Sequence, residues 1–136
     1  MNDCIFCKII KKEVGAEIIA ENEHAFAFLD ICPINKGHTL VIPKKHFVLL
    51  DEVSKELLGE LMIFTQKIAG AVCRSLGTTD YNIFQRNGPL AGQVVKHVHI
   101  HIVPRFGGDG HREWPTKMCY REGEIKACAD KIKSFL

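Results

Sequence analysis

The sequence lacks any hydrophobic run long enough to cross a bilayer. Its continuous apolar stretches extend over only a few residues, whereas a spanning helix needs about 20. It also lacks the basic segment and apolar core that characterise a secretory signal peptide. We therefore expect a cytoplasmic protein without a membrane partner.

The sequence also has little excess of charge of either sign. The 18 Lys and Arg residues are balanced by 16 Asp and Glu residues, which leaves a net charge of +2 and predicts no nucleic-acid partner. No internal repeat, low-complexity segment or Gly-x-x-x-x-Gly-Lys motif is present, and the last absence disfavours a Walker-type triphosphate site. The chain is 46% hydrophobic over 136 residues, so we expect residues 1–136 to form one domain with a buried core.

Histidine, in contrast, is concentrated in one stretch. Residues 97–103 read HVHIHIV, and on a β-strand this alternation places His97, His99 and His101 on one face. Val98, Ile100 and Ile102 would then occupy the other face, and Pro104 would end the strand. Imidazole can serve as a ligand, base or nucleophile near neutral pH, so we interpret this as the active strand.

The spacing of the three histidines excludes a single metal centre. At roughly 3.3 Å per residue, His97 and His101 are about 13 Å apart along a regular strand. Zn–N bonds are only about 2 Å long, so all three rings cannot reach one ion. We expect the strand to divide its work, with one end helping a metal and the other acting on a substrate.

A glycine-rich connection, residues 86–93 (RNGPLAGQ), leads into this strand. Exposed backbone N–H groups suit phosphoryl oxygens. A neutral imidazole can attack phosphorus and form a covalent intermediate, and a second imidazole, when protonated, can assist the leaving group. The sequence thus favours phosphoryl chemistry on the histidine strand.

Cysteines form a second pattern. Cys4 and Cys7 make a Cys-x-x-Cys pair with no strand before it, which argues against a thioredoxin-type redox motif. The alternatives are half of a structural zinc site, which requires two further ligands, and unliganded thiols. We expect no disulfides, since nothing indicates an oxidising compartment.

Periodicity predicts strands at residues 17–20, 25–29, 38–42 and 81–85 besides the histidine strand. Apolar residues at helical spacing predict a long helix between an N-cap at Ser54 and a C-cap at Gly77. Residues 8–12 could form a short helix, and residues 122–136 a modest amphipathic one. Strands grouped in hairpins around few helices indicate an α+β fold with an antiparallel sheet.

Several blocks together resemble the histidine-triad (HIT) family. The triad signature HVHIHIV is accompanied by CIFCKII, AFLDI, GHTLVIPKKH and AGQ, in the order in which the family has them. The resemblance implies a HIT-like fold, namely a five-stranded antiparallel sheet with one long amphipathic helix and a shorter C-terminal helix. It also implies a side-by-side homodimer.

The resemblance further implies a hydrolase that binds purine nucleoside monophosphate groups and cleaves a P–N or P–O–P bond at the α-phosphate. His99 would become nucleotidylated, His101 would contact the phosphate and leaving group, and His38 would lie close by. The implied nucleotide-binding residues are Asp30, Ile31, Arg86, Asn87, Gly92, Gln93, Val94, His99 and His101.

Two features leave the branch of the family open. Val94 stands where relatives often carry a Ser or Thr, so one polar contact to the leaving group is absent. Residues 88–96 resemble Fhit-type dinucleoside polyphosphate hydrolases, whereas Trp114 and Pro115 resemble the Hint type. The alternatives are a Fhit-like hydrolase and a non-catalytic nucleotide-binding module that retains the triad.

The resemblance also implies a role for the cysteine pair. Some members hold zinc with the N-terminal Cys-x-x-Cys, the histidine after the Pro-Lys block and the first triad histidine. On this chain the ligands would be Cys4, Cys7, His46 and His97. A Cys₂His₂ set leaves no open position, so one structural zinc per chain is expected, with no organic cofactor.

Overall fold

The computed structural model describes residues 3–111 and 118–136. Trp114 and Pro115 therefore lie outside the described residues. The strands are β1 (Ile18–Glu21), β2 (Ala25–Leu29), β3 (Thr39–Pro43), β4 (Tyr81–Gln85) and β5 (Ile100–Pro104). The helices are α1 (Ile5–Ile10), α2 (Lys55–Leu76) and α3 (Glu124–Lys133), with short 3₁₀ turns at Leu50–Glu52 and Pro89–Ala91.

The five strands form one antiparallel sheet in the order β1-β2-β3-β5-β4. This confirms the predicted α+β fold with a five-stranded antiparallel sheet, a long helix and a C-terminal helix. None of the described helices has the length and apolar character needed to cross a bilayer.

Helix α2 begins and ends where its caps predict. The Ser54 side chain accepts a hydrogen bond from the Leu57 N–H, which satisfies one of the free donors of the first turn. Gly77 closes the helix in the left-handed conformation at φ 70°. The buried face of α2, which includes Leu61, Ile68 and Val72, packs on the sheet.

The central strands are covered on both faces, so β2, β3 and β5 are buried along their whole length, whereas the edge strand β4 is exposed or partly buried. Val98, Ile100 and Ile102 join the core shared with α2 and α3. Phe6 and Ile9 of α1 pack on the opposite face. The alternation inferred from the sequence therefore holds, with the aliphatic residues toward α2.

The histidine strand, however, is shorter than predicted. Regular pairing with β3 begins only at Ile100, opposite Val41, so of the three histidines only His101 lies within β5. The ladder does not continue to Pro43, whose carbonyl accepts instead from Nε2 of His97 at 2.9 Å. The preceding segment leaves the ladder, and its Val98 N–H donates instead to the Phe47 carbonyl at 2.8 Å.

The turn into β3 depends on Gly37. Its φ is +87°, and a β-carbon there would overlap Cδ1 of Leu76 and lie 3.3 Å from Cγ of Pro104. We expect Gly37→Ala to destabilise the fold by about 2–3 kcal/mol through strain and overpacking. Thermal unfolding should show a decrease of roughly 8 °C in Tm.

Gly107→Ala is the matched control, since its φ is not positive and no atom lies within 4 Å of the added carbon. Its Tm should stay close to that of the wild type. Equal losses in the two variants would contradict the role assigned to Gly37.

Candidate active site and metal cluster

A cavity of about 350 Å³ opens on the α1 face of the sheet, within the size range of small-molecule sites. One part of its wall is apolar and includes Phe6, Ile9 and Phe28. His99 and His101 line the cavity as well. The sheet thus presents two of the three triad histidines to a space that could hold a small molecule.

The ring of His99 is held in one tautomer. Its Nδ1 lies 2.6 Å from the carbonyl oxygen of His97, and because a carbonyl only accepts, Nδ1 must carry the proton. Burial lowers the pKa of His99 below its ordinary value. The neutral ring therefore keeps a lone pair on Nε2, the nitrogen on which a nucleophile would act.

Phe6 supports this ring from α1. The Phe6 and His99 rings meet edge to face with their centroids 5.2 Å apart, and Phe6 also makes an edge contact with Phe28. Sequence reasoning missed Phe6, although its position between the two cysteines of a metal motif is a usable signal.

His38 and His101 form a buried pair joined by a hydrogen bond whose direction is defined. The Ile34 N–H donates to Nδ1 of His38 at 3.0 Å, so the proton of His38 must lie on Nε2. Nε2 of His38 lies 2.9 Å from Nδ1 of His101 and donates to it. This leaves Nε2 of His101 as the N–H donor of that ring.

The same hydrogen bonds argue against a metal at this position. Asp30, His38 and His101 bring three ligand atoms within 4.8 Å of one another. A cation on Nε2 of His38 would require that ring to lose its only proton, because Nδ1 already accepts from Ile34. His38 and His101 therefore use these nitrogens in a hydrogen bond with each other, and the Asp30 carboxylate lies 3.8 Å from Nε2 of His38.

Five of the predicted nucleotide-binding residues besides the histidines line the cavity: Asp30, Ile31, Arg86, Gly92 and Val94. Asp30 accepts the Cys32 N–H at 2.9 Å. Arg86 stacks over the Phe84 ring at 4.6 Å and passes close to Gly92, where a β-carbon would lie 3.1 Å from its Cδ. Gly92 therefore lets the guanidinium approach the histidines.

Asn87 and Gln93 are placed differently. Neither belongs to the cavity wall among the described residues. Asn87 accepts the Leu50 N–H at 2.8 Å, and Gln93 bridges the Gly88 N–H and the Val48 carbonyl. Both side chains tie the glycine-rich loop to the neighbouring turn, while direct contact with a nucleotide stays a prediction.

A second cluster lies at the other end of the histidine segment. Ligand atoms of Cys4, Cys7, His46 and His97 all lie within 4.8 Å of one another. Tetrahedral zinc requires S-to-N separations of about 3.6 Å and N-to-N separations of about 3.3 Å. The sulfur-to-Nδ1 distances are 3.3, 3.4 and 3.7 Å, and the two Nδ1 atoms are 3.2 Å apart.

The surroundings of this cluster suit a cation. Nε2 of His97 donates to the Pro43 carbonyl at 2.9 Å, which leaves Nδ1 free to coordinate. Burial lowers the pKa of His97 to about 4, and burial raises the pKa of the Cys7 thiol. Neutral imidazoles are good ligands, and a buried thiolate gains stability from a bound cation. The four residues could therefore hold a metal ion.

The remaining cysteines take no part in the cluster. No two of the six cysteines are joined in a disulfide. Cys73 and Cys128 are buried in the core, whereas Cys32 and Cys119 are exposed.

Comparison with known proteins agrees with this arrangement. The HIT domain family matches residues 11–108. This chain belongs to the histidine-triad (HIT) family. An adenosine 5′-monophosphoramidase of Schizosaccharomyces pombe is 41% identical over 136 residues, which cover 96% of this chain and 96% of that protein.

Two solved HIT structures are also similar. A Hit-like protein of Bartonella henselae, described as involved in cell-cycle regulation, has a TM-score of 0.88 at 34% identity and covers 100% of this chain and 98% of its own. A zinc-bound histidine triad family protein of Mycobacterium smegmatis has a TM-score of 0.84 at 32% identity, with coverages of 98% and 93%. The described residues therefore share the HIT fold with these proteins.

Proposed function

We propose that this HIT protein is a purine nucleotide hydrolase that cleaves the P–N bond of nucleoside 5′-phosphoramidates through a nucleotidyl intermediate on His99. The observation that carries the proposal is the neutral His99 ring, whose Nδ1–H is held by the His97 carbonyl at 2.6 Å. This ring, which keeps a lone pair on Nε2, lines a cavity of nucleotide size. The similarity to an adenosine 5′-monophosphoramidase supports the choice of bond.

In the first step, the Nε2 lone pair of His99 attacks the α-phosphorus while the P–N bond breaks with its electron pair on nitrogen. A substrate whose bridging nitrogen is protonated then releases a neutral amine. In the second step, water attacks the phosphorus, the P–N bond to the imidazole breaks with its electron pair on Nε2 as the nucleoside monophosphate forms, and the proton of the water passes to solvent. Two displacements replace one difficult displacement.

His101 acts in this scheme as a neutral N–H donor. Its Nδ1 accepts from His38, which leaves no place for a proton on that nitrogen. Its Nε2–H stabilises the charge that develops on a phosphoryl oxygen or on the leaving group. This differs from the protonated imidazole that the sequence favoured, because the direction of the hydrogen bonds is set by the Ile34 N–H.

The nucleoside would occupy the apolar part of the cavity. Phe6, Ile9 and Phe28 offer apolar and aromatic surface to a purine. The Asp30 carboxylate is suited to accept hydrogen bonds from ribose hydroxyls, and Arg86 to attract the phosphate. Substrates of this kind would be oriented with the α-phosphorus toward His99.

The decisive assay compares three substrate classes with the wild-type protein. Adenosine 5′-phosphoramidate, a diadenosine polyphosphate and AMP alone should be incubated in parallel, and AMP release and binding should be measured. Preferential hydrolysis of the phosphoramidate supports the proposal. Faster cleavage of the dinucleotide would favour the Fhit-like alternative, and binding of AMP without turnover would favour a non-catalytic module.

Val94 is the observation that keeps the alternatives open. It lies at the cavity, is 73% exposed as a residue, and its side chain offers no hydrogen bond to a leaving group. If leaving-group contact at this position matters, Val94→Ser should change the relative rates of the phosphoramidate and the dinucleotide. The same assay measures both.

The role of Asp30 gives a binding prediction. A hydrogen bond to a charged acceptor contributes about 1.5 kcal/mol, so the wild type should bind AMP roughly 10-fold more tightly than 2′,3′-dideoxy-AMP. In Asp30→Asn this difference should shrink to about two- to threefold. Calorimetric titration of the four protein–ligand pairs measures the two affinity ratios. If the ratio of AMP to 2′,3′-dideoxy-AMP affinity is the same in Asp30→Asn as in the wild type, the ribose does not contact Asp30.

We further infer that the Cys4, Cys7, His46 and His97 cluster holds one structural zinc ion. The four distances match tetrahedral edges, and a histidine triad relative is zinc-bound. A closed set of four protein ligands supplies no position for a substrate. The ion would hold α1 against the sheet. The cytoplasmic location and the homodimer stay predictions.

A further inference from the structure

We propose that Asn35 is a positioning residue for the His38–His101 pair, acting through the loop that presents the Ile34 N–H. The inference rests on the proposed function, since it concerns how that site keeps its N–H donor. Asn35 lies outside the cavity wall but is 1% exposed, which is unusual for an asparagine in a loop. Its buried amide therefore needs an explanation.

Both hydrogens of the Asn35 amide are used. Nδ2 donates to the Pro104 carbonyl at 3.0 Å and to Oδ2 of Asp109 at 3.0 Å. Both partners are acceptors, so the nitrogen, and not the oxygen, must face them. The first bond ties the loop before β3 to the last residue of β5, the strand that carries His101.

Asp109 fixes the far end of this connection. Its carboxylate also accepts from the Phe106 N–H, the His111 N–H and the Arg105 guanidinium. These backbone hydrogen bonds hold the pKa of Asp109 well below its usual range. The carboxylate therefore stays ionised and presents a strong, fixed acceptor to Asn35.

The near end of the connection reaches His38 directly. The Asn35 carbonyl accepts the His38 N–H at 3.1 Å, and the adjacent Ile34 N–H donates to Nδ1 of His38. A shift of this short loop would weaken the Ile34 bond and allow the proton of His38 to move to Nδ1. His38 could then no longer donate to Nδ1 of His101, and the N–H of His101 would no longer be held on Nε2.

The test compares Asn35→Ala with the wild type using adenosine 5′-phosphoramidate. We expect kcat to fall about 10- to 30-fold with KM changed less than about twofold, because the amide touches no substrate. Nitrogen-15 NMR of labelled histidines provides a second readout. In the wild type the His38 Nδ1 should appear unprotonated and Nε2 protonated, and in the variant the two signals should move toward averaged values.

Thr65→Val is the matched control. Thr65 is equally buried and donates to the Leu61 carbonyl within α2, far along the chain from the loop. The Thr65→Val variant should be less stable than the wild type, but its kcat and its histidine tautomers should be unchanged. Asp109→Asn provides a milder variant at the far end, and its kcat should fall in the same direction by about two- to fivefold.

Wild-type kcat and wild-type histidine signals in folded Asn35→Ala would overturn the proposal. If Asn35→Ala does not fold, unchanged signals and kcat in Asp109→Asn would overturn it equally. The NMR readout needs no turnover. A wild type that hydrolyses no phosphoramidate would therefore remove the proposed function, while the tautomer comparison would still decide the role of Asn35.

Discussion

Replacing His99 with alanine should reduce kcat for adenosine 5′-phosphoramidate by about 10⁴-fold or more, the order of loss seen when a covalent nucleophile is removed. The ring is the candidate nucleophile because its Nδ1–H is held by the His97 carbonyl and burial lowers its pKa. Alanine leaves the cavity and its other groups in place. AMP binding should therefore change much less than turnover.

The covalent step can be detected separately. Wild-type and His101→Ala proteins should be mixed with the phosphoramidate, quenched in alkali and digested, and the peptide that contains His99 examined for an added nucleotidyl group by mass spectrometry. The group should be absent from His99→Ala. His24→Ala is the control, since His24 is exposed and pairs only weakly with Glu23 at 3.8 Å.

Two results would contradict this prediction. Retention of more than about a tenth of the wild-type kcat in His99→Ala would exclude a nucleophilic role for this ring. A nucleotidyl group on another histidine would move the chemistry to that residue.

Disruption of the cluster of Cys4, Cys7, His46 and His97 should have the second large effect, which is a loss of folding stability. We expect Cys7→Ser or removal of the metal with a chelator to cost at least about 3 kcal/mol, which lowers Tm by roughly 10 °C in a chain of this size. The cluster joins α1 to the segment before β5 and to the turn after β3 through four side chains. Metal analysis of fresh protein should find one zinc per chain.

The control for this experiment is Cys119→Ser, which changes an exposed thiol outside the cluster. Its Tm and zinc content should match the wild type. Turnover after chelation should decline only as fast as the protein unfolds. Immediate loss of turnover at an unchanged Tm would mean that the metal takes part in catalysis, and absence of zinc from fresh protein would remove the structural role.

The main elements of the fold were predictable because their signals are local. The caps at Ser54 and Gly77 and the spacing of the apolar residues define α2 from neighbouring residues alone. Strand boundaries differ by one residue in β1 and β3, and α1 begins at Ile5 instead of residue 8. Short helices depend on tertiary contacts, here those of Phe6 and Ile9 with the sheet.

The candidate site was predictable in composition but not in chemistry. Spacing along a strand was sufficient to separate His97 from His101, and the structure places them in different clusters. Asn87 and Gln93 illustrate the limit, because their side chains bind the backbone of the next turn. No local pattern distinguishes an amide that contacts a ligand from one that holds a loop.

The sequence by itself determined which residues face which side of the sheet, because side-chain direction alternates along a strand whatever the rest of the chain does. Only the tertiary structure decided where the β5 ladder stops and which nitrogen of each histidine carries the proton. The ladder ends at Ile100, opposite Val41, because the preceding Val98 N–H donates to the Phe47 carbonyl and not to β3. The protons are set by the His97 carbonyl and the Ile34 N–H, main-chain groups that have no side-chain signature.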